Sequence, residues 1–351
     1  PLHSSIKAPA MDMMAAAWMI RDLGQAVSAI HIDEDGGILA GGWDGKLKRW
    51  DNEGTTLWQV DCKDRIETIV EYEDLIFVTS GLHIMSILDG EIVWSHALEG
   101  SSDLLVIHNG KLIATSSVFD IEHNDFMESA IWTFSLDGEL LDVEKIDERP
   151  WFIESKRELV IGLGRPRCGV LIDGKHVNLA SKSPVTCGLS ASKTTLYGHA
   201  DGTVSNSDGK IIAKEDSVVE SLSTNNQTYF VALESGTVIS RGLGGKLNWL
   251  DQGPQITCQA SGFDDTHWCG RWESISGKIE VRNSEGAIIS EIKTSRARVA
   301  IGTDSRVSIG FEDGQIVVWE KELFLRRIGE KSQSSDERKS TLAAKLRSLR
   351  K

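Results

Sequence analysis

Short apolar runs alternate with turn residues along most of the chain. In the first complete unit the runs cover residues 27–32, 38–42, 46–50 and 55–60. Each run is five or six residues long, which is typical of a β-strand and too short for a stable helix. Asp44-Gly45 joins the second run to the third, and this dipeptide indicates a hairpin because both residues tolerate a positive φ. The unit therefore predicts four consecutive antiparallel strands.

A glycine turn recurs between the third and fourth runs and sets the length of the repeat. These glycines are Gly54, Gly90, Gly138, Gly174, Gly209, Gly245 and Gly286. The intervals are 36, 48, 36, 35, 36 and 41 residues, and an eighth turn is expected near residue 322. First strands are expected to begin near Val27, Ile66, Leu104, Trp151, Val185, Val218, Ile256 and Val299. This spacing predicts an all-β protein with a single β-propeller of about eight four-stranded antiparallel blades, and seven blades are the alternative.

Closure of the ring requires a fourth strand for the last blade. Trp58 and Trp94 lie in fourth strands, eight and ten residues before the next first strand. Trp18 stands nine residues before Val27, so we expect the N-terminal segment to supply the missing outer strand. Residues 323–328 are the competing candidate. The predicted organisation is a flexible N-terminus at 1–13, a propeller at 14–330 and a basic tail at 331–351.

Two stretches resemble a known repeat. Residues 41–51, Gly-Gly-Trp-Asp-Gly-Lys-Leu-Lys-Arg-Trp-Asp, resemble the second half of a WD40 repeat, which ends in Trp-Asp. Residues 310–320 are similar, with Glu320 in place of the final Asp. Residues 89–94 also resemble a quinoprotein-like propeller repeat, although the fuller tryptophan-docking pattern and the Gly-His opening of WD40 repeats are missing. The resemblance covers nearly the whole chain at the level of the fold and singles out no subfamily.

Charge divides the chain into two unequal parts. The net charge is −14, but residues 331–351 carry seven basic and two acidic side chains, so residues 1–330 carry −19. Such a body is expected to repel nucleic acid and anionic membranes, which leaves nucleic-acid binding to the tail. Leucines at helical spacing in the tail predict a short amphipathic helix. The tail residues expected to bind are Arg338, Lys339, Leu342, Lys345, Leu346, Arg347, Leu349 and Arg350.

The five cysteines stand at 62, 168, 187, 258 and 269, and none belongs to a C-x-x-C pair. This odd, scattered set predicts free thiols rather than a disulfide framework, which favours the cytoplasm. The sequence has no apolar run of transmembrane length. It also lacks the signatures of phosphate-binding loops, serine hydrolases and zinc proteases. We therefore expect no cofactor, no metal and no catalytic residue.

The repeat between Gly90 and Gly138 is the longest, and its extra residues fall between the second and third strands, at 119–128. We expect this loop to contact a partner through Phe119 and Phe126, although a plain surface insertion would also be tolerated. Its polar residues suit a cation less well, because hard-cation loops have a stricter ligand spacing. These polar residues are Asp120, Glu122, His123 and Asp125.

Other residues on the same predicted face belong to types that are common at interfaces. They are Trp43, Asp44, Arg165, Arg167, His199 and Trp272. For the two tryptophans, packing between neighbouring blades is the alternative, since large aromatic side chains are mostly buried. Gly164-Arg165-Pro166-Arg167 suits an anionic ligand or an acidic partner segment, because a rigid loop presents two guanidinium groups.

These features favour a non-catalytic scaffold for protein–protein interactions that binds through the loops of one face and through the tail. One alternative is an enzyme with its site in the central channel, of hydrolase, lyase or quinoprotein-like type. A second is a nucleic-acid-associated factor that binds through the tail. The tail helix either folds on a partner or docks back on the acidic body. The sequence names neither the partner nor the oligomeric state.

Overall fold

The computed structural model describes residues 12–225 and 227–330. Within these residues the strands form eight four-stranded antiparallel sheets. In chain order they are β1 (Met19–Asp22), β2 (Val27–Ile32), β3 (Ile38–Gly42), β4 (Lys46–Trp50), β5 (Thr56–Asp61), β6 (Ile66–Tyr72), β7 (Leu75–Ser80), β8 (His83–Leu88), β9 (Glu91–Ala97), β10 (Ser101–His108), β11 (Lys111–Asp120), β12 (Asp125–Phe134), β13 (Leu140–Ile146), β14 (Pro150–Ser155), β15 (Leu159–Leu163), β16 (Val170–Ile172), β17 (Lys175–Val177), β18 (Val185–Ser190), β19 (Thr195–His199), β20 (Thr203–Asn206), β21 (Ile211–Lys214), β22 (Val219–Thr224), β23 (Thr228–Leu233), β24 (Val238–Gly242), β25 (Leu247–Asp251), β26 (Gln255–Ser261), β27 (His267–Glu273), β28 (Ser276–Arg282), β29 (Ile288–Thr294), β30 (Ala297–Gly302), β31 (Arg306–Phe311) and β32 (Gln315–Glu320).

Each sheet is one blade of a closed propeller. Strands β2–β5 form blade 1, each following set of four forms the next blade, and β30–β32 with β1 form blade 8. The first strand of each blade packs beside the first strand of the next, and β30 packs beside β2. The prediction of eight blades is confirmed, and the alternative of seven is wrong. The eight first strands begin within three residues of the expected positions.

The N-terminal strand closes the ring, as predicted. Strand β1 pairs antiparallel with β32, in a register that runs from Met19 opposite Val318 to Asp22 opposite Gln315. The competing residues 323–328 belong to a helix at 321–330 instead. The turn expected near 322 is therefore wrong, because the fourth strand of blade 8 comes from the other end of the chain. The Glu320 carboxylate accepts the N–H groups of Glu322 and Leu323 and so caps the first turn of this helix.

The middle strands of the blades carry most of the core. Every residue of β3 and of β31 is buried, whereas β13 is exposed along nearly all of its length. Middle strands read as continuous apolar runs because both of their faces pack against neighbouring blades. The outermost strand of each blade is the one that faces solvent. Apolar runs therefore identify the buried strands of a blade, but they do not show which residues of the neighbouring blades pack against them.

Tryptophans in the outer strands dock on the next blade at four junctions. The indole N–H groups of Trp18, Trp94 and Trp249 donate to the carbonyl oxygens of Asn52, Leu136 and Ser284, at 2.8, 2.9 and 3.2 Å. At the fourth junction, a Cβ on Gly90 would lie 2.8 Å from Trp58. The sequence analysis did not predict this docking, because the repeats lack the full tryptophan-docking pattern although their tryptophans occupy the same place in the blade.

We expect Trp94→Ala to lower the free energy of unfolding by about 2 kcal/mol, because it removes a half-buried indole and its hydrogen bond. The ring of Trp94 packs against Phe77 and Phe134, with centroids 6.0 and 6.1 Å away. Denaturant unfolding measures the change, and the exposed Leu141→Ala on the next outer strand is the control. Equal midpoints for the two variants would show that the docking contributes nothing.

The turns at Asp-Gly differ from the expectation in one respect. At Asp89-Gly90 both residues have positive φ, 49° and 83°, as a two-residue hairpin requires. At Asp44-Gly45 only the glycine does, with φ 89°. Here the Gly45 N–H donates to the Gly42 carbonyl oxygen, so the glycine is the last residue of a four-residue turn instead of half of a two-residue one.

The packed body begins before the expected boundary at residue 14. Met13 is fully buried, and its carbonyl oxygen accepts the indole N–H of Trp319 at 2.8 Å. Residues 1–11 and the tail at 331–351 lie outside the described residues. Among the described residues, every helix is too short or too polar to cross a membrane.

Candidate protein-interaction face

Two kinds of loop share one end of the propeller, which we call the upper face. They are the turns between the second and third strands and the connections from each fourth strand to the next first strand. The loops that matter below cover residues 43–45, 62–65, 121–124, 147–149, 164–169 and 295–296. These loops carry four of the eight partner-binding residues predicted on the propeller, namely Trp43, Asp44, Arg165 and Arg167.

The insertion predicted at 119–128 forms the end of a long hairpin. Strands β11 and β12 have ten residues each and stay paired as far as Asp120 opposite Asp125. The Asp120 carboxylate accepts the backbone N–H groups of Glu122 and His123, at 2.8 and 3.2 Å. Hydrogen bonds from the side chain and backbone of His123 lower the pKa of Asp120. This carboxylate therefore shapes the turn, and the described residues contain no cluster of three or more potential metal ligands.

The hairpin exposes apolar side chains. Phe119, Ile121 and Met127 are 47%, 87% and 46% exposed and line an open groove of about 460 Å³. Phe119 meets Phe126 edge to face, with ring centroids 5.2 Å apart. Phe119 is thus exposed on the surface, while Phe126 is half-buried.

Phe126 belongs to a cluster that the sequence did not reveal. The Arg149 guanidinium lies 3.6 Å from the centroid of the Phe126 ring and 4.2 Å from that of Trp151. It also donates to the buried carboxylate of Asp103 at 3.3 Å. Burial raises the pKa of Asp103, and the charge of Arg149 only partly opposes this. The cluster fastens the hairpin of blade 3 to the first strand of blade 4, because a guanidinium between two rings is held by cation–π attraction.

The loop at 164–169 exposes two arginines, and one of them is already paired. The Arg165-Pro166 peptide bond is cis, and Arg165 is exposed. Arg167 is also exposed, but it forms a bidentate pair with the buried Glu148, whose pKa the hydrogen bond from Arg167 lowers. Within the described part of the chain, Arg165 is therefore the arginine of this loop that offers an unpaired guanidinium to an outside anion.

His199 is not on the surface, so its assignment as a partner-binding residue is wrong. It is fully buried, and its two ring nitrogens lie 3.0 Å from the Ser183 carbonyl oxygen and 2.8 Å from the Ser205 hydroxyl. Burial lowers the pKa of His199, which keeps the ring neutral. The whole of β19 is buried, and this is a property of the neighbouring blades that the local sequence does not show.

Trp43 and Trp272 lie on the upper face beneath arginines. The Arg65 guanidinium is 3.9 Å from the centroid of the Trp43 ring, and that of Arg298 is 5.6 Å from it. The Arg296 guanidinium lies 5.3 Å from the Trp272 ring. Asp44 is exposed beside Trp43, and its backbone N–H donates to the Gln25 side chain at 2.7 Å. The eight tail residues expected to bind a partner lie outside the described residues.

Three of the cysteines, Cys62, Cys168 and Cys269, are buried, and Cys187 and Cys258 are half-buried. All five cysteines are free. Burial raises the pKa of Cys62, Cys187, Cys258 and Cys269 to about 12, so they stay protonated and unreactive at neutral pH.

Several solved structures resemble the fold of this chain. The computationally designed Ika8 protein has a TM-score of 0.66 and 18% identity, and the match covers 86% of this chain and 98% of that one. BamB from Moraxella catarrhalis has a TM-score of 0.68 and 14% identity, with 86% and 98% covered. Saccharomyces cerevisiae Sqt1 has a TM-score of 0.68 and 12% identity, with 87% and 98% covered.

The fold is an eight-bladed β-propeller, and the likeness to these structures is a likeness of fold. No family model matches the sequence, and the search of curated proteins finds no match. At these identities the likeness concerns the ring alone, so the upper face of this propeller has to be interpreted from its own residues.

Proposed function

We propose that this propeller is a protein-interaction scaffold whose upper face binds a partner protein. The observation that carries the proposal is the hairpin β11–β12, which projects three exposed apolar side chains from a rigid ring. Exposed apolar patches rimmed by polar residues are typical of interaction sites. The acidic and polar residues around the tip, among them Glu122 and Glu128, provide such a rim.

The hairpin is suited to act as an anchor. Complete burial of one large apolar side chain contributes about 1.5–3 kcal/mol, so three of them supply much of the free energy of a specific complex. The Arg149 cluster holds the base of the hairpin in place, which reduces the entropy lost on binding. Arg165 lies in the adjacent blade and offers a charge for the edge of the same interface.

The tail is proposed as a second contact that is separate from the propeller. Seven basic side chains and an apolar stripe suit an acidic partner groove, and nucleic acid is the alternative ligand for this segment alone. A cytoplasmic location is proposed from the five free thiols, because a reducing compartment keeps thiols unpaired.

The test is affinity capture from a native lysate with three forms of the full chain. The hairpin variant combines Phe119→Ser, Ile121→Ser and Met127→Ser. The control combines Leu140→Ser, Leu141→Ser and Val143→Ser, which removes three exposed apolar side chains from the outer strand of the same blade. We expect the hairpin variant to recover a stoichiometric partner at least about tenfold less than the wild type, while the control recovers it normally.

Equal recovery of that partner by the hairpin variant would contradict the proposal. A chain that ends at Glu330 separates the two contacts. If this chain retains the partner, the ring face is the main contact, whereas loss of the partner with the tail would assign the main contact to residues 331–351.

A further inference from the structure

A second feature of the upper face lies on another part of the ring from the hairpin. Blades 7, 8 and 1 and the connection into blade 2 enclose a cavity of about 190 Å³. Arg65, Arg296 and Arg298 line it together with Trp43 and Gln255. Arg65 is distant in sequence from Arg296 and Arg298, and it meets them only because the ring closes.

The cavity is positively charged within an acidic protein. None of its described lining residues carries a carboxylate, although residues 1–330 as a whole carry −19. Two carboxylates lie nearby, with Glu67 3.2 Å from Arg65 and Glu312 3.1 Å from Arg298. Arg296 forms no ion pair with another residue of the described part of the chain. The cavity therefore keeps an excess of positive charge, which favours an anion.

The guanidinium groups have hydrogen-bonding capacity left over. The Nε atoms of Arg296 and Arg298 are buried and have no hydrogen-bond acceptor among the described residues. A guanidinium presents its donors as a rigid planar fork, which matches the two oxygens of a carboxylate or phosphate. An oxyanion in this cavity would accept hydrogen bonds from the guanidinium N–H groups that line it.

The tryptophans hold the guanidinium groups in position. Trp43 packs against both Arg65 and Arg298, and Trp272 packs against Arg296. Stacking leaves the edge of a guanidinium free to donate hydrogen bonds while its face is held. The site is thus partly preorganised, which reduces the entropy that is lost when a ligand binds.

We propose that the cavity lined by Arg65, Arg296 and Arg298 binds an oxyanion presented by an acidic peptide segment of a partner protein. A volume of about 190 Å³ admits one acidic side chain or a terminal carboxylate, but no folded element. The proposal extends the scaffold function by assigning a partner chemistry to a different part of the upper face. It does not depend on the apolar hairpin.

The test measures fluorescence anisotropy of a labelled penta-glutamate peptide with the full chain. We expect Arg296→Gln to weaken binding by about tenfold, and Arg296→Lys to restore only part of it, since Lys keeps the charge and loses the planar fork. Arg326→Gln is the matched control, because it removes the same charge from an exposed position on the helix at 321–330. Any peptide bound by the basic tail contributes equally to all variants.

Inorganic phosphate as a competitor distinguishes the source of the oxyanion. Competition by phosphate together with loss in Arg296→Gln supports an oxyanion site that accepts acidic peptide. Binding of phosphate without binding of the peptide would overturn the peptide assignment. Equal peptide affinity in Arg296→Gln and in the wild type would overturn the site itself.

The hairpin variant, F119S/I121S/M127S, separates this proposal from the scaffold proposal. It is expected to bind the acidic peptide with wild-type affinity. If this variant loses partner capture but still binds the peptide, the cavity assignment is supported independently of the hairpin. Loss of peptide binding in the hairpin variant would overturn the independence of the two sites.

Discussion

Replacement of Glu280 by Gln is expected to lower the free energy of unfolding by about 3–5 kcal/mol. Glu280 is buried in the middle of blade 7 and accepts hydrogen bonds from Arg271 at 3.0 Å and from Arg282 at 3.1 Å. Arg271 is itself only 2% exposed. Removal of the carboxylate charge would leave buried guanidinium groups with too little compensation.

The cluster also joins two blades. Asp251 at the end of β25 in blade 6 accepts from Arg271 at 3.0 Å and from Arg282 at 2.7 Å. Arg271 further donates to the carbonyl oxygens of Gly236 and Pro254, at 2.7 and 2.8 Å. Burial alone would raise the pKa of Glu280, but the hydrogen bond from Lys278 and the charge of Arg271 outweigh it and lower the pKa. The ionised form of Glu280 is therefore the one that stabilises the junction.

Denaturant unfolding at neutral pH measures this effect. Glu273→Gln serves as the control, because it removes the same charge from an exposed position of the same blade and is expected to change stability by less than about 0.5 kcal/mol. If both variants unfolded at the same denaturant concentration, the cluster would not stabilise the fold.

Acidification from pH 7 to pH 5 is expected to cost the wild type about 2 kcal/mol more stability than His267→Gln. His267 is fully buried, with its Nε2 atom 2.8 Å from the Gln259 carbonyl oxygen and its ring centroid 4.6 Å from that of Phe230. Burial lowers the pKa of His267 to about 3, and the positive charges of Arg282 and Arg271 lower it further. The imidazole is therefore neutral in the folded protein.

The sign of the effect follows from proton binding. The folded pKa of about 3 lies below the ordinary value of 6.5, so between these values the unfolded chain binds more protons than the folded one. The stability contribution of His267 is thus complete above pH 6.5 and is lost as the pH falls toward 3. Within this window the loss approaches about 1.4 kcal/mol per pH unit.

Unfolding free energies of the two proteins at several pH values provide the measurement. The two proteins are compared by the slope of the unfolding free energy against pH. A loss of stability that is the same at every pH does not change this slope. Nuclear magnetic resonance of the ring supplies an independent check, since the imidazole of the folded protein should stay neutral at pH 5. Parallel stability curves for the two proteins, or a charged ring at pH 5, would contradict the assignment.

The repeat was predictable because its signals are local. Short apolar runs and glycine turns recur in each blade, so the number of blades and the first strands followed from spacing alone. The long hairpin was visible in the 48-residue interval between Gly90 and Gly138. The exposure of Phe119 followed from the same insertion. Each of these features depends on residues that are close together in the chain.

Other features depended on which segments meet. Strand β1 fills the last place in blade 8, as the position of Trp18 predicted, but the pairing with β32 and the helix that residues 323–328 form instead are seen only in the structure. His199 is buried and Trp43 is exposed for a similar reason, since neighbouring blades cover the one and not the other.

Local sequence patterns were sufficient to predict the strands, the repeat and the closed ring of about eight blades. The arginine-lined cavity and the buried cluster around Glu280 became visible only in the folded ring. In both, side chains from separate blades are brought together, and blade-to-blade packing sets their distances. Apolar periodicity reports whether a residue faces the interior, but it carries no information about the residue that it will face there.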